Sequence, residues 1–347
     1  LHSAIEYLGF LSLVGSLFVV TGGIHIRVKG EATPAVNVLF LLIGAVLSNV
    51  IGTTGASMLM IRPWIRMNRY RITSHHVVYF IFIVSNVGGC LTPVGDPPLF
   101  LGFLKGVPFL WVLENCWSPW LTAVLLLLAI FYVVDRRNFM RAPEVIRARV
   151  TEDEEWHFSG LHNLAFIAVI LGAIFLPAGL RELVMALAAA GSWLTTREAV
   201  HKANAFNFHP IKEVAWLFAG IFTTMVPALH YLERHAGELG LHSEAQFYWL
   251  TGGLSALLDN APTYLAFLAT AFGLFGLDMN NPADVALFVE KHAGLLRAIS
   301  LGAVFFGAMT YIGNGPNFMV KAIAEQARVE TPGFLSYLLR HALPILL

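Results

Sequence analysis

The sequence is poor in charged residues and in cysteine. Only 13% of its 347 residues are charged, and 22 Lys plus Arg balance 22 Asp plus Glu, so the formal net charge is zero. Soluble domains carry about 25% charged residues, and nucleic-acid-binding domains are usually basic. The two cysteines, Cys90 and Cys116, are too few for a disulfide framework. These shortages argue against a soluble domain, a nucleic-acid partner and a disulfide-stapled fold.

Signatures of catalysis are also missing. The sequence contains no metal-ligand spacing, no Walker loop and no nucleophile elbow, so we expect neither an enzyme nor a bound cofactor. It is rich instead in apolar residues, with 57% hydrophobic residues and a mean hydropathy of +0.68. A helix needs roughly 20 apolar residues to cross a bilayer, and several runs approach that length. We predict an all-α polytopic membrane protein whose surroundings are the lipid bilayer. Because the chain begins at Leu1, we also expect a fragment or processed chain lacking one or more N-terminal helices.

Two apolar segments are interrupted by copies of one motif. Residues 92–98 (TPVGDPP) align with residues 310–316 (TYIGNGP) at a constant offset of 310 − 92 = 218. Gly and Pro break helices, and the freed backbone groups must find partners away from lipid. A matched pair of such breaks in two halves of a chain indicates the binding site of a transporter. The alternative is that the motif marks only packing kinks, because Gly and Pro are common in membrane helices.

The apolar runs divide the chain into two repeats. The predicted first repeat is 1–134, with a re-entrant hairpin at 36–66 and a broken helix at 76–104. The second is 161–347, with a hairpin at 246–275 and a broken helix at 294–325. Residues 135–160 are charged and non-periodic, which predicts a cytoplasmic linker. The alternative for each hairpin is a pair of spanning helices.

Arginine clusters predict how the repeats lie in the membrane. One cluster follows the first hairpin and another follows the predicted span 117–134, and the positive-inside rule places both in the cytoplasm. Three further spans then place the start of the second hairpin outside. The hairpins would therefore enter from opposite faces, which makes the repeat inverted. The arginines concerned are Arg62, Arg66, Arg69, Arg71, Arg136, Arg137, Arg141, Arg147 and Arg149.

Polar residues concentrate in the two hairpin tips and the two helix breaks. We expect these four loops to meet near the midplane and to bind an ion through hydroxyl, amide, carbonyl and carboxylate oxygens, which suit Na⁺. Free amides at a hairpin's second arm could hold an anion instead. The candidate residues are Ser48, Asn49, Thr53, Thr54, Thr92, Gly95, Asp96, Asp259, Asn260, Thr263, Thr310, Asn314 and Asn317. Those expected at a Na⁺ site, with Na⁺ as the transported ion, are Asn49, Thr54, Asp96, Asp259 and Asn260.

Asp96 and Asp259 are the two acids within these loops. A carboxylate inside a membrane is costly and indicates a functional site. Removal from water penalises the ionised form, so a proton and a cation can compete for it. Helix capping is the alternative role for each acid, and the two roles are compatible. Asn314 replaces Asp96 in the second copy, and we expect Asn49 to be the counterpart of Asp259 or Asn260.

These motifs resemble the ion transporter superfamily. Residues 86–98 (NVGGCLTPVGDPP) and 257–263 (LLDNAPT) carry the resemblance and are most similar to NhaD-type sodium–proton antiporters; citrate or divalent anion–sodium symporters and ArsB-type carriers are related. The resemblance implies a bacterial inner-membrane homodimer, with scaffold and transport domains, that works by an elevator movement. In the carboxylate symporters the hairpin tips read Ser-Asn-Thr, whereas here they read SNV (48–50) and DNA (259–261).

We therefore predict Na⁺/H⁺ antiport through competition of Na⁺ and H⁺ for the intramembrane carboxylates. The alternative is a Na⁺-coupled citrate, dicarboxylate or oxyanion symporter. A non-transporting membrane scaffold or an intramembrane enzyme is a third reading. No basic residue lies in either tip or break, which counts against a multiply charged anion.

Overall fold

The computed structural model describes residues 2–27, 32–141 and 157–347, and 77% of these residues are helical. A short antiparallel ribbon pairs β1 (His25–Arg27) with β2 (His157–Ser159). The helices of the first half are α1 (His2–Gly22), α2 (Pro34–Met67), α3 (Ser74–Ile83), α4 (Pro97–Leu104) and α5 (Trp111–Arg141). Those of the second half are α6 (Asn163–Ala173), α7 (Leu180–Thr195), α8 (Glu198–Ala203), α9 (His209–His235), α10 (Glu244–Leu257), α11 (Asn260–Leu274), α12 (Pro282–Lys291), α13 (Ala293–Phe306), α14 (Gly315–Gln326) and α15 (Phe334–Leu346).

Several helices are suited to cross a bilayer. Within the described ranges, four are long and apolar enough by length and composition: Ile5–Gly22, Trp111–Arg141, His209–Leu239 and Pro34–Met67, of which Pro34–Met67 is bent. The α5 helix exposes large apolar side chains such as Leu125 and Leu126, which are 53% and 59% exposed. An apolar face of this kind is suited to lipid rather than to water. The chain is an integral, polytopic membrane protein, and most of its described residues are helical.

The α2 helix is folded back on itself. A straight helix of its 34 residues would be about 50 Å long. Instead, Asn37 near its start donates from Nδ2 to Asn68 Oδ1 just beyond its end, at 2.9 Å, and the rings of Phe40 and Trp64 lie 5.4 Å apart. The reversal occurs at Gly52, whose backbone (φ 76°, ψ 155°) is accessible to glycine and strained for other residues. The result is a helical hairpin with its tip at Gly52.

The α10 and α11 helices form a second hairpin. Leu258 and Asp259 separate them, and the rings of Phe247 and Phe267, one on each arm, lie 6.2 Å apart. Ser243 and Gln246 start the first arm with a capping box, which satisfies free amides at the helix N-terminus. The second arm starts directly at the tip.

Two helices are interrupted by short irregular segments. The chain leaves α3, makes a 3₁₀ turn (Val87–Gly89) and enters α4 at Pro97. It leaves α13 through another 3₁₀ turn (Gly307–Met309) and enters α14 at Gly315. Proline suits the first turn of a helix because the missing N–H has no partner there. In the first break two backbone segments cross so closely that a Cβ on Gly95 would lie 2.0 Å from the Gly89 carbonyl oxygen.

The α5 helix continues into the segment predicted as a linker. Residues 135–141 are helical, residues 157–159 form β2, and residues 142–156 lie outside the described residues. Asp135 explains the continuation, because its buried carboxylate contacts the Arg71 guanidinium, His76 Nε2 at 3.1 Å and Asn37 Nδ2 at 2.8 Å. This buried network fastens the end of α5 to the base of the first hairpin and to the start of α3.

Candidate ion-binding site

The carboxylate of Asp96 is the meeting point of the four loops. Its Oδ1 accepts from Thr53 Oγ1 at the first hairpin tip and from Asn314 Nδ2 at the second break, each at 2.8 Å. Its Oδ2 accepts from Asn260 Nδ2 at the second tip, at 2.6 Å. Asp96 itself lies in the first break and is only 1% exposed. These four predicted residues are brought together although Asn260 and Asn314 lie 164 and 218 residues from Asp96 along the chain.

Backbone hydrogen bonds hold each hairpin tip against the break of its own half. The Thr53 amide donates to the Gly95 carbonyl at 2.8 Å, and the Asn260 amide donates to the Gly313 carbonyl at 3.1 Å. These bonds join backbone groups only. They position Thr53 and Asn260 but do not involve the side chains of these two residues. Both side chains stay available to Asp96.

A second pair of matched contacts corrects one expected correspondence. Thr92 Oγ1 donates to the Asn49 carbonyl, and Thr310 Oγ1 donates to the Ala256 carbonyl, each at 2.6 Å. Asn49 therefore matches Ala256 (256 − 49 = 207), and at the same offset Thr53 matches Asn260 (260 − 53 = 207). The expectation that Asn49 corresponds to Asp259 or Asn260 was wrong, because the first hairpin turns three residues beyond Asn49.

Asp96 is surrounded by neutral donors. No Lys, Arg or His side chain in the described ranges forms an ion pair or hydrogen bond with it. A buried carboxylate without a cationic partner is costly, and binding a proton or a cation removes that cost. Neutralisation by either a proton or a cation would therefore stabilise this carboxylate.

A small cavity lies beside Asp96. It measures about 30 Å³ and is bounded by the first tip (51–55), the first break (93–97), Phe100 and apolar side chains of α1. One water-sized particle needs about 10–15 Å³ measured in this way. The cavity is therefore large enough for a single small ion or water molecule. Thr54, one of the predicted Na⁺ contacts, lies on its wall.

Asp259 has a different environment from Asp96. Within the described residues, its carboxylate makes one hydrogen bond, accepting from the Ala261 amide at 3.0 Å, and so caps α11. Thr263 Oγ1 donates to the Asp259 carbonyl, one helical turn back, at 2.9 Å. Asp96 also occupies an N-cap position, on α4, but its side chain makes no capping bond. The capping role considered for both acids is thus observed for Asp259 alone.

The other predicted polar residues brace the hairpins. Ser48 Oγ donates to the carbonyls of Gly44 and Val84, at 2.8 and 2.7 Å. Asn49 Nδ2 donates to the Gly88 carbonyl at 2.6 Å, and its Oδ1 accepts from the Leu91 amide at 2.8 Å. The side chains of Ser48, Asn49, Thr92 and Thr310 are thus all engaged with backbone groups. None of them makes a hydrogen bond to Asp96.

One buried residue behind the site was not among the predicted site residues. Asn86 Oδ1 accepts from Asn314 at 3.2 Å, and Asn86 Nδ2 donates to Asn317 Oδ1 at 2.6 Å. Asn86 and Asn317 are both fully buried. The sequence signal that could have identified Asn86 is its position just after the apolar α3 segment. A buried amide there is costly unless it is hydrogen-bonded, so a partner is expected.

A larger cavity adjoins the site region. It measures about 480 Å³, has mostly apolar walls, and reaches Thr54, Gly315 and Pro316. Arg62, two turns beyond Thr54, also lines it and makes no hydrogen bond or ion pair with any residue the structure describes. A basic residue therefore lies near the tips although none lies within them.

The fold and the site together define a polytopic membrane protein with a polar centre assembled from interrupted helices. A family model described as "Putative citrate transport" matches residues 1–180 and residues 176–347. The chain belongs to this family, whose description indicates a secondary transporter. No curated protein matches the chain.

Proposed function

We propose that the protein is a Na⁺/H⁺ antiporter in which the two ions compete for Asp96. The observation that carries this proposal is a buried carboxylate held by three neutral donors, with no basic partner in the part of the chain that the structure describes. Either ion neutralises the carboxylate, and both cannot occupy it at once. A single site loaded alternately with Na⁺ and H⁺ is sufficient for exchange.

The size of the cavity beside Asp96 supports a single ion as the substrate. A space of about 30 Å³ admits Na⁺ and excludes a tricarboxylate. Thr53, Thr54 and Gly95, which carry hydroxyl and carbonyl oxygens, are among the residues that line it. The equally buried Asn260 has an Oδ1 without a hydrogen-bond partner in the described residues, which leaves one further amide oxygen for a cation.

The transport cycle that we propose follows the predicted arrangement of the repeats. The two hairpins enter the membrane from opposite faces, so each tip can open toward one side while the other stays closed. The hairpins and broken helices move together as a transport domain against a scaffold in a homodimer, in a bacterial inner membrane. The matched contacts in the two halves support this arrangement, because they give both tips the same attachment to their breaks.

Proteoliposomes with a preset pH gradient and a pH-sensitive dye test the proposal. We expect NaCl or LiCl to dissipate the gradient and KCl to act as the cation control. Sodium citrate should act only through its Na⁺, and potassium citrate should have no effect. A response that requires Na⁺ and citrate together would reject antiport.

Na⁺-coupled citrate symport is the second candidate, and the environment of Arg62 favours it. An unpaired guanidinium in a cavity of about 480 Å³ near both Thr54 and Gly315 can meet a carboxylate. This candidate predicts Na⁺-dependent uptake of radiolabelled citrate that is lost in Arg62→Gln. Arg66→Gln is the matched control, because Arg66 lies on the same hairpin arm but outside the cavity. Absence of citrate uptake by the unmodified protein would reject it.

A further inference from the structure

Three buried asparagines form a hydrogen-bonded chain that ends at Asp96. Asn317 Nδ2 donates to the carbonyls of Gly307 and Thr310, at 2.7 and 2.8 Å. Asn317 Oδ1 then accepts from Asn86 Nδ2 at 2.6 Å. Asn86 Oδ1 in turn accepts from Asn314 Nδ2 at 3.2 Å, and Asn314 Nδ2 donates to Asp96 Oδ1 at 2.8 Å.

The direction of this chain is fixed by groups that can only accept. Backbone carbonyls have no hydrogen to donate, so Gly307 and Thr310 fix which way the Asn317 amide faces. Asn86 Nδ2 likewise faces two acceptors, the Ile81 carbonyl at 2.8 Å and Asn317 Oδ1, and these fix the orientation of the Asn86 amide. Asn86 must therefore present its oxygen to Asn314.

This orientation determines what Asn314 offers to Asp96. If the Asn314 amide turned over, its oxygen would face Asn86 Oδ1 and the Ser85 carbonyl, both of which are acceptors now 3.2 Å from Nδ2. Two such acceptor–acceptor contacts in a buried site are unfavourable. The amide hydrogens of Asn314 are thus held toward Asp96, where they favour its ionised form.

We propose that Asn86 is a positioning residue that, by fixing the orientation of Asn314, sets the preference of Asp96 for a cation over a proton. The role rests on the proposed exchange at Asp96 and extends it to a residue that does not touch the carboxylate. Without Asn86, the Asn314 amide can turn and accept a hydrogen bond from protonated Asp96. The proton then becomes harder to displace by Na⁺.

The expected effect of Asn86→Leu is a shift of the acid limb of the transport–pH profile. A neutral hydrogen bond contributes about 0.5–1.5 kcal/mol, which corresponds to an alkaline shift of about 0.5–1 pH unit. At a fixed acidic pH the apparent Na⁺ dissociation constant should rise about three- to tenfold. At alkaline pH the proton no longer competes, so the apparent Na⁺ dissociation constants of Asn86→Leu and the unmodified protein should differ much less. A purely structural defect would lower activity equally at all pH values.

A double-variant cycle separates positioning from general damage. If Asn86 acts through Asn314, Asn86→Leu combined with Asn314→Leu shifts the profile no further than Asn314→Leu alone. Thr270→Val is the control: like Asn86→Leu it removes a buried side-chain hydrogen bond, here from the Thr270 hydroxyl to the Ala266 carbonyl, far along α11 from its tip, and it should leave the profile unchanged. Should Asn86→Leu not fold, Asn86→Ser removes the same contacts and must give the same shift.

The readouts are Na⁺-driven proton movement in proteoliposomes and Na⁺-dependent thermal stabilisation of the purified protein, both measured across a pH series. If the unmodified protein is stabilised by Na⁺ but moves no protons, the proposed antiport fails, and the stabilisation series still tests Asn86. If the unmodified protein exchanges ions and Asn86→Leu has an unchanged pH profile, the positioning role is overturned. Additive shifts in the double variant overturn it as well.

Discussion

The two acids should respond very differently to neutralisation. Asp96→Asn removes the negative charge on which three donors converge, and the new amide nitrogen must face at least one of them. At about 4 Å and an effective dielectric constant of about 20, one unit charge attracts a cation by about 4 kcal/mol. Losing that attraction should weaken Na⁺ binding about a thousandfold.

By the same reasoning, Asp259→Asn should have little effect on Na⁺ binding. The Asp259 carboxylate caps α11 by accepting from the Ala261 amide, and asparagine is an equally good N-cap residue. We expect the Na⁺ dissociation constant to change by less than about threefold, within about 0.7 kcal/mol. The pair of variants therefore separates an ion-binding acid from a capping acid.

Na⁺-dependent thermal stabilisation of the purified proteins measures this difference. A ligand at 100 times its dissociation constant stabilises the native state by about 2.7 kcal/mol, so a thousandfold weaker site gives almost no shift at that concentration. Choline chloride at equal ionic strength is the salt control. The reasoning is refuted if Asp259→Asn abolishes the Na⁺ shift while Asp96→Asn retains it.

Two further variants test the supporting structure through melting temperature. Asp135→Asn leaves the buried Arg71 guanidinium without its counter-charge, so we expect a loss of about 3–5 kcal/mol and a lower melting temperature at every Na⁺ concentration. Gly95→Ala places a methyl group 2.0 Å from a backbone oxygen and should cost about 1–3 kcal/mol or more, with weaker Na⁺ binding. Gly172→Ala, where the added methyl group meets nothing within 4 Å, is the matched control. An equal effect of the two alanine substitutions would contradict the close crossing.

The positions of the interruptions could be predicted from sequence because Gly and Pro act locally. The break before Pro97 and the reversal near Gly52 follow from residues that cannot continue a helix or that tolerate unusual backbone angles. The membrane class followed from composition in the same way. Both are properties of short segments, and neither depends on distant parts of the chain.

The different environments of Asp96 and Asp259 could not be predicted in this way. Both acids lie in polar loops at helix starts, and sequence alone gives them the same chemistry. Their environments differ because Asn260 and Asn314, which are 164 and 218 residues away in sequence, donate hydrogen bonds to Asp96. The role that we propose for Asn86 depends in the same way on Asn317, which is 231 residues distant. The helical continuation through Asp135 depends on Arg71 and His76, which a charged composition alone does not reveal.

The most direct test of competition at Asp96 is proton release on Na⁺ binding. Purified protein in weakly buffered detergent solution, at a pH acidic enough for Asp96 to carry a proton, is mixed with NaCl while the pH is followed. We expect up to one proton released per Na⁺ bound, no release with choline chloride, and none from Asp96→Asn. Na⁺ binding without proton release, or release that persists in Asp96→Asn, would contradict the exchange of Na⁺ and H⁺ at this carboxylate.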